Sequence, residues 1–248
     1  MSRYFIELAY NGNGYNGWQL QPDAPSVQGD INRALTLLLK RETSVTGAGR
    51  TDTGVHASFF VAHFDSDLPL DIPLLLFKLN GLLGHRIAIR AIYPVIDEAH
   101  ARFSALSRTY TYHLSVEKDP FRHPFALRVH PLPDLPLMNE ACRALLRHDD
   151  FTSFAKLHAA AATNRCRVTL AAWEERDGQL VFTIRADRFL RNMVRAIVGT
   201  LLDVGQGKIT VEEFNRVIER KDRRAAGRSV PGHALFLRRV EYPPHLKL

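Results

Sequence analysis

Segments with the periodicity of β-strands alternate with segments that have the periodicity of α-helices along this chain of 248 residues. In 108-RTYTYHLSV-116, large apolar side chains share one face and hydroxyl or histidine side chains share the other, which is typical of a strand. Residues 27–39 follow a helical spacing directly after the capping residue Ser26. This alternation predicts an α+β fold with antiparallel or mixed sheets and helices packed on one face.

The remaining elements suggest two halves of similar make-up. We expect one half over residues 1–105, with a glycine-framed loop before a strand, and one over 106–248, with a basic helix and a closing strand. Further strands are predicted near 3–10, 55–64, 87–93, 167–174, 179–185 and 234–242. Further helices are predicted after Asp71, after Pro136, over 188–202 and after the capping box formed by Thr210 and Glu213.

Composition and cysteine usage favour a cytoplasmic globular protein. Apolar residues make up 46% of the chain, and no apolar run approaches the length that spans a membrane. The first residues, MSRYFIELAY, have no signal-peptide layout. Cys142 and Cys166 form no C-x-x-C pair, so we expect two thiols in a reducing compartment.

The charge balance favours a polyanionic partner. The chain has 33 basic and 26 acidic residues, which gives a net charge of +7. Two segments are rich in basic side chains, which predicts a contact with RNA or DNA. They comprise Arg185, Arg188, Arg191 and Arg195 in one segment, and Arg220, Lys221, Arg223, Arg224 and Arg228 in the other.

The loop 47-GAGRTDTGVHA-57 places Arg50 and Asp52 among three glycines, directly before a predicted strand. An aspartate in such a turn often bonds only its own backbone. A nucleotide-binding loop is disfavoured, because neither G-x-x-x-x-G-K-[ST] nor G-x-G-x-x-G is present. The third interpretation is a functional site on a rigid scaffold.

The residues permit some chemistry and disfavour other kinds. The chain contains no H-E-x-x-H or comparable histidine spacing, which disfavours a metal site. It contains no G-x-S-x-G, which disfavours a serine nucleophile. An aspartate beside cationic groups stays ionised, so Asp52 suits attack on an electrophilic carbon or stabilisation of a cationic sugar. Tyr110 is either a half-buried core aromatic or a ring that stacks on a base and relays a proton.

Six segments together resemble the TruA family of tRNA pseudouridine synthases, in the family's order and over residues 4–243. They are GAGRTDTGVHA, 10-YNGNGYNGWQLQP-22, 26-SVQ-28, 107-SRTYTYHL-114, 189-FLRNMVRAIVG-199 and 231-PGHALFLRRVEYP-243. The segment 230-VPGHAL-235 departs from the family's usual A-P-x-x-G-L.

The resemblance implies two RRM-like halves whose sheets join across a basic cleft, with helices on the outer face. It implies isomerisation of uridine to pseudouridine at positions 38, 39 and 40 of the tRNA anticodon stem-loop, by base flipping and an aspartate nucleophile. It also implies a homodimer, tRNA as the partner, and no cofactor, metal or membrane.

The resemblance also assigns roles to single residues. Asp52 matches the catalytic aspartate, and Arg50 the arginine two places before it. Tyr110 matches the tyrosine that stacks on the target base and assists proton removal. Arg195 matches the arginine that pairs with the catalytic carboxylate, and Leu235 an apolar residue of the base pocket.

Two other function classes remain open at this point. A non-catalytic RNA-binding module would use the same sheets and basic segments, and its role would survive the loss of Asp52. A phosphate-binding enzyme for a small molecule would use the glycine loop, and it would show no steep dependence of RNA affinity on salt.

Overall fold

The computed structural model describes residues 2–156 and 163–248. Contacts within the chain separate two compact units. One unit runs to Ser107 and includes Leu237–Leu248, and the other spans Arg108–Phe236. The described residues contain five α-helices and mostly antiparallel strand pairs, so the predicted α+β class is confirmed.

The first unit has the element order β-α-β-β-α-β. Its strands pair antiparallel in the order β4-β1-β3-β2. Tyr10 pairs opposite Ala57, so the loop that follows β1 and the loop that precedes β3 emerge at the same end of the sheet. The elements are β1 (Ser2–Tyr10), α1 (Val27–Leu39), β2 (Thr46–Gly47), β3 (His56–Ser66), α2 (Ile72–Leu82) and β4 (Ile87–Val95).

Both helices of this unit begin where their capping residues predict. The Ser26 hydroxyl accepts a hydrogen bond from Gly29 N–H at 3.2 Å. The Asp71 carboxylate accepts one from Leu74 N–H at 3.0 Å. Each cap satisfies a backbone donor that the helix leaves unpaired, which stabilises a helix by about 1 kcal/mol.

One face of this sheet is covered by the segment after β4 and by the end of the chain. Phe5 and Val61, from β1 and β3, pack in one cluster with Ala99, Ala101 and Leu246. Backbone bonds tie these parts together, since Ile96 N–H donates to the Leu246 carbonyl at 3.0 Å. The segment after β4 is therefore part of the folded core rather than a loose connection.

His63 lies beneath this layer in a site that disfavours its protonated form. Its Nδ1 accepts a hydrogen bond from Ala101 N–H at 3.1 Å. Burial, followed by the charges of Arg3 and His100, lowers the pKa of His63 to about 4. Arg3 also forms a two-bond ion pair with Asp65, at 2.7 and 2.8 Å, and this bond lowers the pKa of that carboxyl.

We expect the free energy of unfolding to fall as the pH drops from about 6.5 to about 4. His63 has a lower pKa in the folded than in the unfolded chain, so the unfolded chain takes up the proton first. Above pH 6.5 His63 is neutral in both states and does not lower the free energy of unfolding. As the pH falls to about 4, protonation of the unfolded chain lowers the free energy of unfolding by up to about 3 kcal/mol. Asp65 acts separately, below its ordinary pKa of about 4. Chemical denaturation across pH 4–7 measures the slope.

The variant His63→Gln keeps a side-chain acceptor but cannot take up a proton, so the slope between pH 4 and 6.5 should become shallower. The same replacement at exposed His85 controls for the loss of a histidine as such. An unchanged slope in His63→Gln would assign the acid sensitivity to other groups.

In its described residues, the second unit combines a three-stranded antiparallel sheet with three helices. Its strands lie in the order β5-β8-β7, and β6 extends the sheet in parallel beside β5. The predicted hairpin turn at Asp177 and Gly178 is confirmed, and both residues have positive φ. The elements are β5 (Ser107–Ser115), β6 (Leu127–Arg128), α3 (Leu135–Leu145), β7 (Val168–Arg176), β8 (Gln179–Ala186), α4 (Met193–Gly205) and α5 (Val211–Glu219).

The start of α4 differs from the prediction. The apolar spacing predicts a helix over 188–202, whereas α4 begins at Met193 and ends at Gly205. Asn192 stops the helix on its N-terminal side, because its φ of 67° is left-handed. Arg188 and Arg191 therefore precede the helix.

The last strand, β9 (Leu235–Glu241), begins in the second unit and ends in the first. The predicted capping box before α5 is confirmed, since Thr210 and Glu213 each accept a hydrogen bond from the other's N–H. Among the helices of the described residues, none is both long and apolar enough to cross a membrane.

Candidate active site

Asp52 lies in a tight turn immediately before β3. Its carbonyl accepts a hydrogen bond from Val55 N–H at 3.1 Å. Gly54 has a φ of 75° in this turn, which glycine adopts without strain. The Asp52 side chain is half-buried. Because the backbone of Asp52 closes the turn, its carboxylate projects from a fixed point at the end of the sheet.

The loop after β1 bonds to this turn. Trp18 N–H donates to the Thr51 carbonyl at 3.2 Å, and Gly54 N–H donates to the Tyr15 carbonyl at 3.3 Å. The Tyr10 and Thr51 hydroxyls lie 2.8 Å apart, both buried. These bonds reach the turn on both sides of Asp52 and restrict its backbone.

Two glycines of the same loop allow this close approach. A Cβ on Gly17 would lie 2.3 Å from the Thr51 carbonyl oxygen, and one on Gly12 would lie 2.2 Å from the Val55 carbonyl oxygen. Gly17 also has a φ of 95°, which other residues rarely adopt. The glycines of 11-NGNGYNGWQLQP-22 thus make room for the Asp52 turn.

His56 also holds the loop after β1 in place. Its buried ring accepts a hydrogen bond at Nδ1 from Gly12 N–H at 3.0 Å. Since a backbone N–H only donates, the ring proton lies on Nε2. Within residues 2–156 and 163–248, no group of three or more His, Cys, Asp or Glu residues could hold a metal ion.

Arg50 is exposed on the same loop, two residues before Asp52. Its Nε donates a hydrogen bond to the Gln19 side chain at 3.1 Å. Gln19 belongs to the loop after β1, so Arg50 lies against that loop. In the first unit, Arg50 and Asp52 therefore lie on one turn that hydrogen bonds to the loop after β1 hold in place.

Tyr110 lies on β5 of the second unit and is half-buried. Its ring packs edge-on against Phe189, with centroids 5.1 Å apart and an angle of 86° between the rings. Its neighbour on the same face, Tyr112, is fully buried and donates its hydroxyl to the Pro231 carbonyl at 2.9 Å. Tyr112 is therefore a structural tyrosine, and Tyr110 is the more accessible of the two.

Arg195 lies in the first turn of α4 and is half-buried. Its Nε donates to the Val230 carbonyl at 2.7 Å, and Val230 N–H donates back to the Arg195 carbonyl at 3.2 Å. The pair of bonds sets the direction of the guanidinium. Nothing in the local sequence of Val230 indicates this role.

The residue before Val230 is fixed as well. The Ser229 hydroxyl bonds to the Asn192 amide at 2.6 Å and to the Arg223 guanidinium at 2.9 Å. Arg223 belongs to the second predicted basic segment, as does Arg224, which pairs with Asp222. Arg223 thus helps to fix Ser229, whereas the exposed Arg224 forms a local ion pair of little weight for stability.

Leu235 is the first residue of β9 and is buried. It follows a single 3-10 turn, Gly232–Ala234. The preceding segment is bonded through Val230 to α4 and through Pro231 to β5. Residues 230–235, whose sequence differs from the usual family pattern, are therefore held in place by hydrogen bonds to α4 and β5.

Sequence reasoning alone missed the residues that support the candidate site. Tyr10, Tyr15, Trp18 and His56 fix the Asp52 turn, and Val230 fixes Arg195. The glycine spacing in the loop after β1 was the available signal, because repeated glycines indicate close backbone approach.

Comparison with known proteins places the chain in a family. A family profile described as tRNA pseudouridine synthase matches residues 141–243. A protein named tRNA pseudouridine synthase A from Parabacteroides distasonis is 53% identical, over 99% of this chain and 98% of that protein. The chain belongs to the tRNA pseudouridine synthase A family. The protein of that name from Bacillus subtilis is 38% identical over 95% of this chain and 97% of its own length.

The family match spans every candidate residue. The relative from Porphyromonas gingivalis, also named tRNA pseudouridine synthase A, is 52% identical over the whole of both chains. The profile match contains Arg195 and Leu235, and the full-length relatives extend it to the Asp52 loop.

Proposed function

We propose that this member of the tRNA pseudouridine synthase A family converts uridine to pseudouridine at positions 38, 39 and 40 of the tRNA anticodon stem-loop, with Asp52 as the nucleophile. The observation that carries the proposal is the Asp52 turn itself, a carboxylate on a backbone that Thr51, Gly54 and Val55 fix. It occurs in a chain about half identical to proteins named tRNA pseudouridine synthase A over their full length.

The reaction begins with the target base leaving the helix. A base inside a stem is inaccessible, so the nucleotide flips out, which costs a few kcal/mol. Asp52 then attacks C6 of the uracil or C1′ of the ribose, or it promotes elimination at the sugar. The N1–C1′ bond breaks, the uracil rotates, and C5 bonds to C1′. Any bond from Asp52 breaks again, at C1′ when C5 displaces the carboxylate or at C6 by elimination, so Asp52 is regenerated. Loss of the C5 proton to a base, and its replacement at N1, completes an isomerisation that consumes nothing.

The other candidate residues act around this sequence. Tyr110 stacks on the flipped base and assists removal of the C5 proton, and its edge-on contact with Phe189 supports this role by fixing the ring. Arg195 pairs with the catalytic carboxylate, and its bond to Val230 supports this role by fixing the guanidinium. Arg50 positions the substrate beside Asp52, and Leu235 lines the base pocket.

Neither thiol competes with Asp52 as a nucleophile. Cys142 and Cys166 are buried, and burial raises the pKa of both, that of Cys166 to about 12. A thiol needs its thiolate form to attack, and these sites disfavour it. A cytoplasmic location, where tRNA is modified and thiols stay reduced, accompanies the proposal.

The mode of RNA binding follows the family resemblance. We propose RRM-like halves with a basic cleft, a homodimer in which one tRNA contacts both subunits, and no cofactor or metal. The β-α-β-β-α-β order of the first unit and the net charge of +7 support RNA binding by such halves.

Release of tritium from tRNA labelled at uridine C5 tests the activity, because C5 loses its hydrogen only when the new bond forms. Three transcripts each carry uridine at only one of positions 38, 39 and 40. From each of them we expect one equivalent of tritium per tRNA. Release from a transcript with none of the three would overturn the positions. The absence of release from all of them would overturn the enzyme itself.

A further inference from the structure

An exposed phenylalanine stands on a tightly bonded turn after β4. Phe103 is 74% exposed. His100 N–H donates to the Ser104 hydroxyl at 2.9 Å, and Ser104 N–H donates to the His100 carbonyl at 2.9 Å. The His100 ring accepts hydrogen bonds at Nδ1 from Arg102 N–H at 3.1 Å and from Phe103 N–H at 3.3 Å. The backbone below the exposed ring is therefore fixed.

The same turn is anchored in the core of the first unit. Ala99 and Ala101 are fully buried. The Ala99 carbonyl accepts a hydrogen bond from Arg3 at 3.0 Å, and Tyr242 donates its hydroxyl to the Ala101 carbonyl. Ala101 N–H is also bonded to His63, so the backbone that carries Phe103 is held rigidly.

An arginine and a histidine lie against the exposed ring. The Arg102 guanidinium carbon lies 5.4 Å from the centroid of the Phe103 ring, and the His100 ring centroid lies 4.4 Å from it. Three residues later, exposed Leu106 lines a groove of about 610 Å³ together with Arg238 and Arg239. The surface therefore places an exposed aromatic ring and a second apolar side chain near arginines, a combination that sites for single-stranded nucleic acids also have.

We propose that this turn is an RNA contact, in which Phe103 stacks on an unpaired base and Arg102 binds an adjoining phosphate. The inference rests on the proposed function for its choice of RNA and adds a contact outside the Asp52 turn. Stacking on an exposed, fixed ring needs no reordering of the protein, and arginine supplies the charge that the backbone requires.

A second exposed phenylalanine shows what distinguishes this site. Phe77 on α2 is 78% exposed, but the exposed side chains of the same helix include the apolar Leu74 and Leu82. No cation lies over the Phe77 ring in the described part of the chain. Phe77 is therefore the matched control for the loss of an exposed ring from the same unit.

Binding of unmodified tRNA to four proteins tests the stacking. We expect Phe103→Ala to raise the dissociation constant roughly 5- to 100-fold. Phe103→Tyr should keep the wild-type affinity, because it keeps the ring, and so should Phe77→Ala. Thermal unfolding of the variants verifies that they remain folded. A wild-type affinity in Phe103→Ala would overturn the proposal.

Fluorescence tests the stacking of residue 103 on a base, and salt dependence tests the contact of Arg102 with a phosphate. Trp18 and Trp173 are buried, so a Phe103→Trp variant carries a single exposed indole, and stacking on a base should quench it. Arg102→Ala should reduce the slope of log affinity against log salt by about one phosphate contact. An indole that tRNA leaves unquenched would overturn the stacking.

The outcomes separate this inference from the proposed function. If the wild type releases tritium and Phe103→Ala binds tRNA equally well, the contact alone is wrong. If the wild type releases none, the activity is wrong, while a loss of RNA binding in Phe103→Ala still supports the contact. If Phe103→Ala instead changes the oligomeric state without RNA, the ring faces a second copy of the chain, and the proposal is overturned.

Discussion

Asp52→Asn is expected to slow pseudouridine formation by roughly 10⁴-fold or more. Asparagine has nearly the same shape as aspartate but no ionised oxygen that can attack carbon. The fold should persist, because the backbone carbonyl of Asp52, and not its carboxylate, accepts the Val55 bond that closes the turn. Single-turnover tritium release from C5-labelled tRNA measures the effect, and the affinity for tRNA should change little.

The matched control is Asp71→Asn, which makes the same chemical change at the start of α2. Asparagine caps a helix about as well as aspartate, so its side chain can still accept from Leu74 N–H, and activity should be unchanged. Release that survives in Asp52→Asn at the wild-type rate would show that another group is the nucleophile.

Local features of the fold are predictable from sequence because their causes are local. The caps Ser26 and Asp71 bond to a residue three positions away, and the sequence contains all that the helix start requires. The hairpin at Asp177 and Gly178 likewise depends on two residues that tolerate positive φ. Each of these elements lies where its sequence pattern predicts.

The start of α4 shows where local reasoning fails. Residues 188–192 continue the apolar spacing of the helix, yet Asn192 is left-handed. Its side chain bonds to Ser229, which lies 37 positions further along the chain. A periodicity within 188–202 contains no information on that partner, so the helix boundary cannot be read from it.

The candidate site divides in the same way. The sequence identifies the Asp52 loop and the loop after β1 as two separate segments that resemble the family. It does not show that they bond to each other, because Trp18 and Thr51 are 33 positions apart and meet only through the pairing of β1 with β3. The role of Val230 likewise cannot be predicted from the sequence, because its backbone carbonyl, and not its side chain, binds Arg195.

Gly17→Ala is expected to reduce both stability and activity. A Cβ at this position would lie 2.3 Å from the Thr51 carbonyl oxygen, and alanine would also be strained at a φ of 95°. We expect a loss of at least about 2 kcal/mol and a fall in the melting temperature of roughly 4–10 °C. The Trp18–Thr51 bond must lengthen, so Asp52 shifts, and turnover should fall further than the loss of folded protein explains.

Gly49→Ala provides the control within the Asp52 loop itself. A Cβ on Gly49 would meet nothing within 4 Å, so this variant should keep its stability and its rate of tritium release. The comparison is made at a temperature where Gly17→Ala is fully folded, so a reduced rate there reflects the position of Asp52. A wild-type rate in folded Gly17→Ala would mean that the loop after β1 stabilises the unit without positioning the carboxylate.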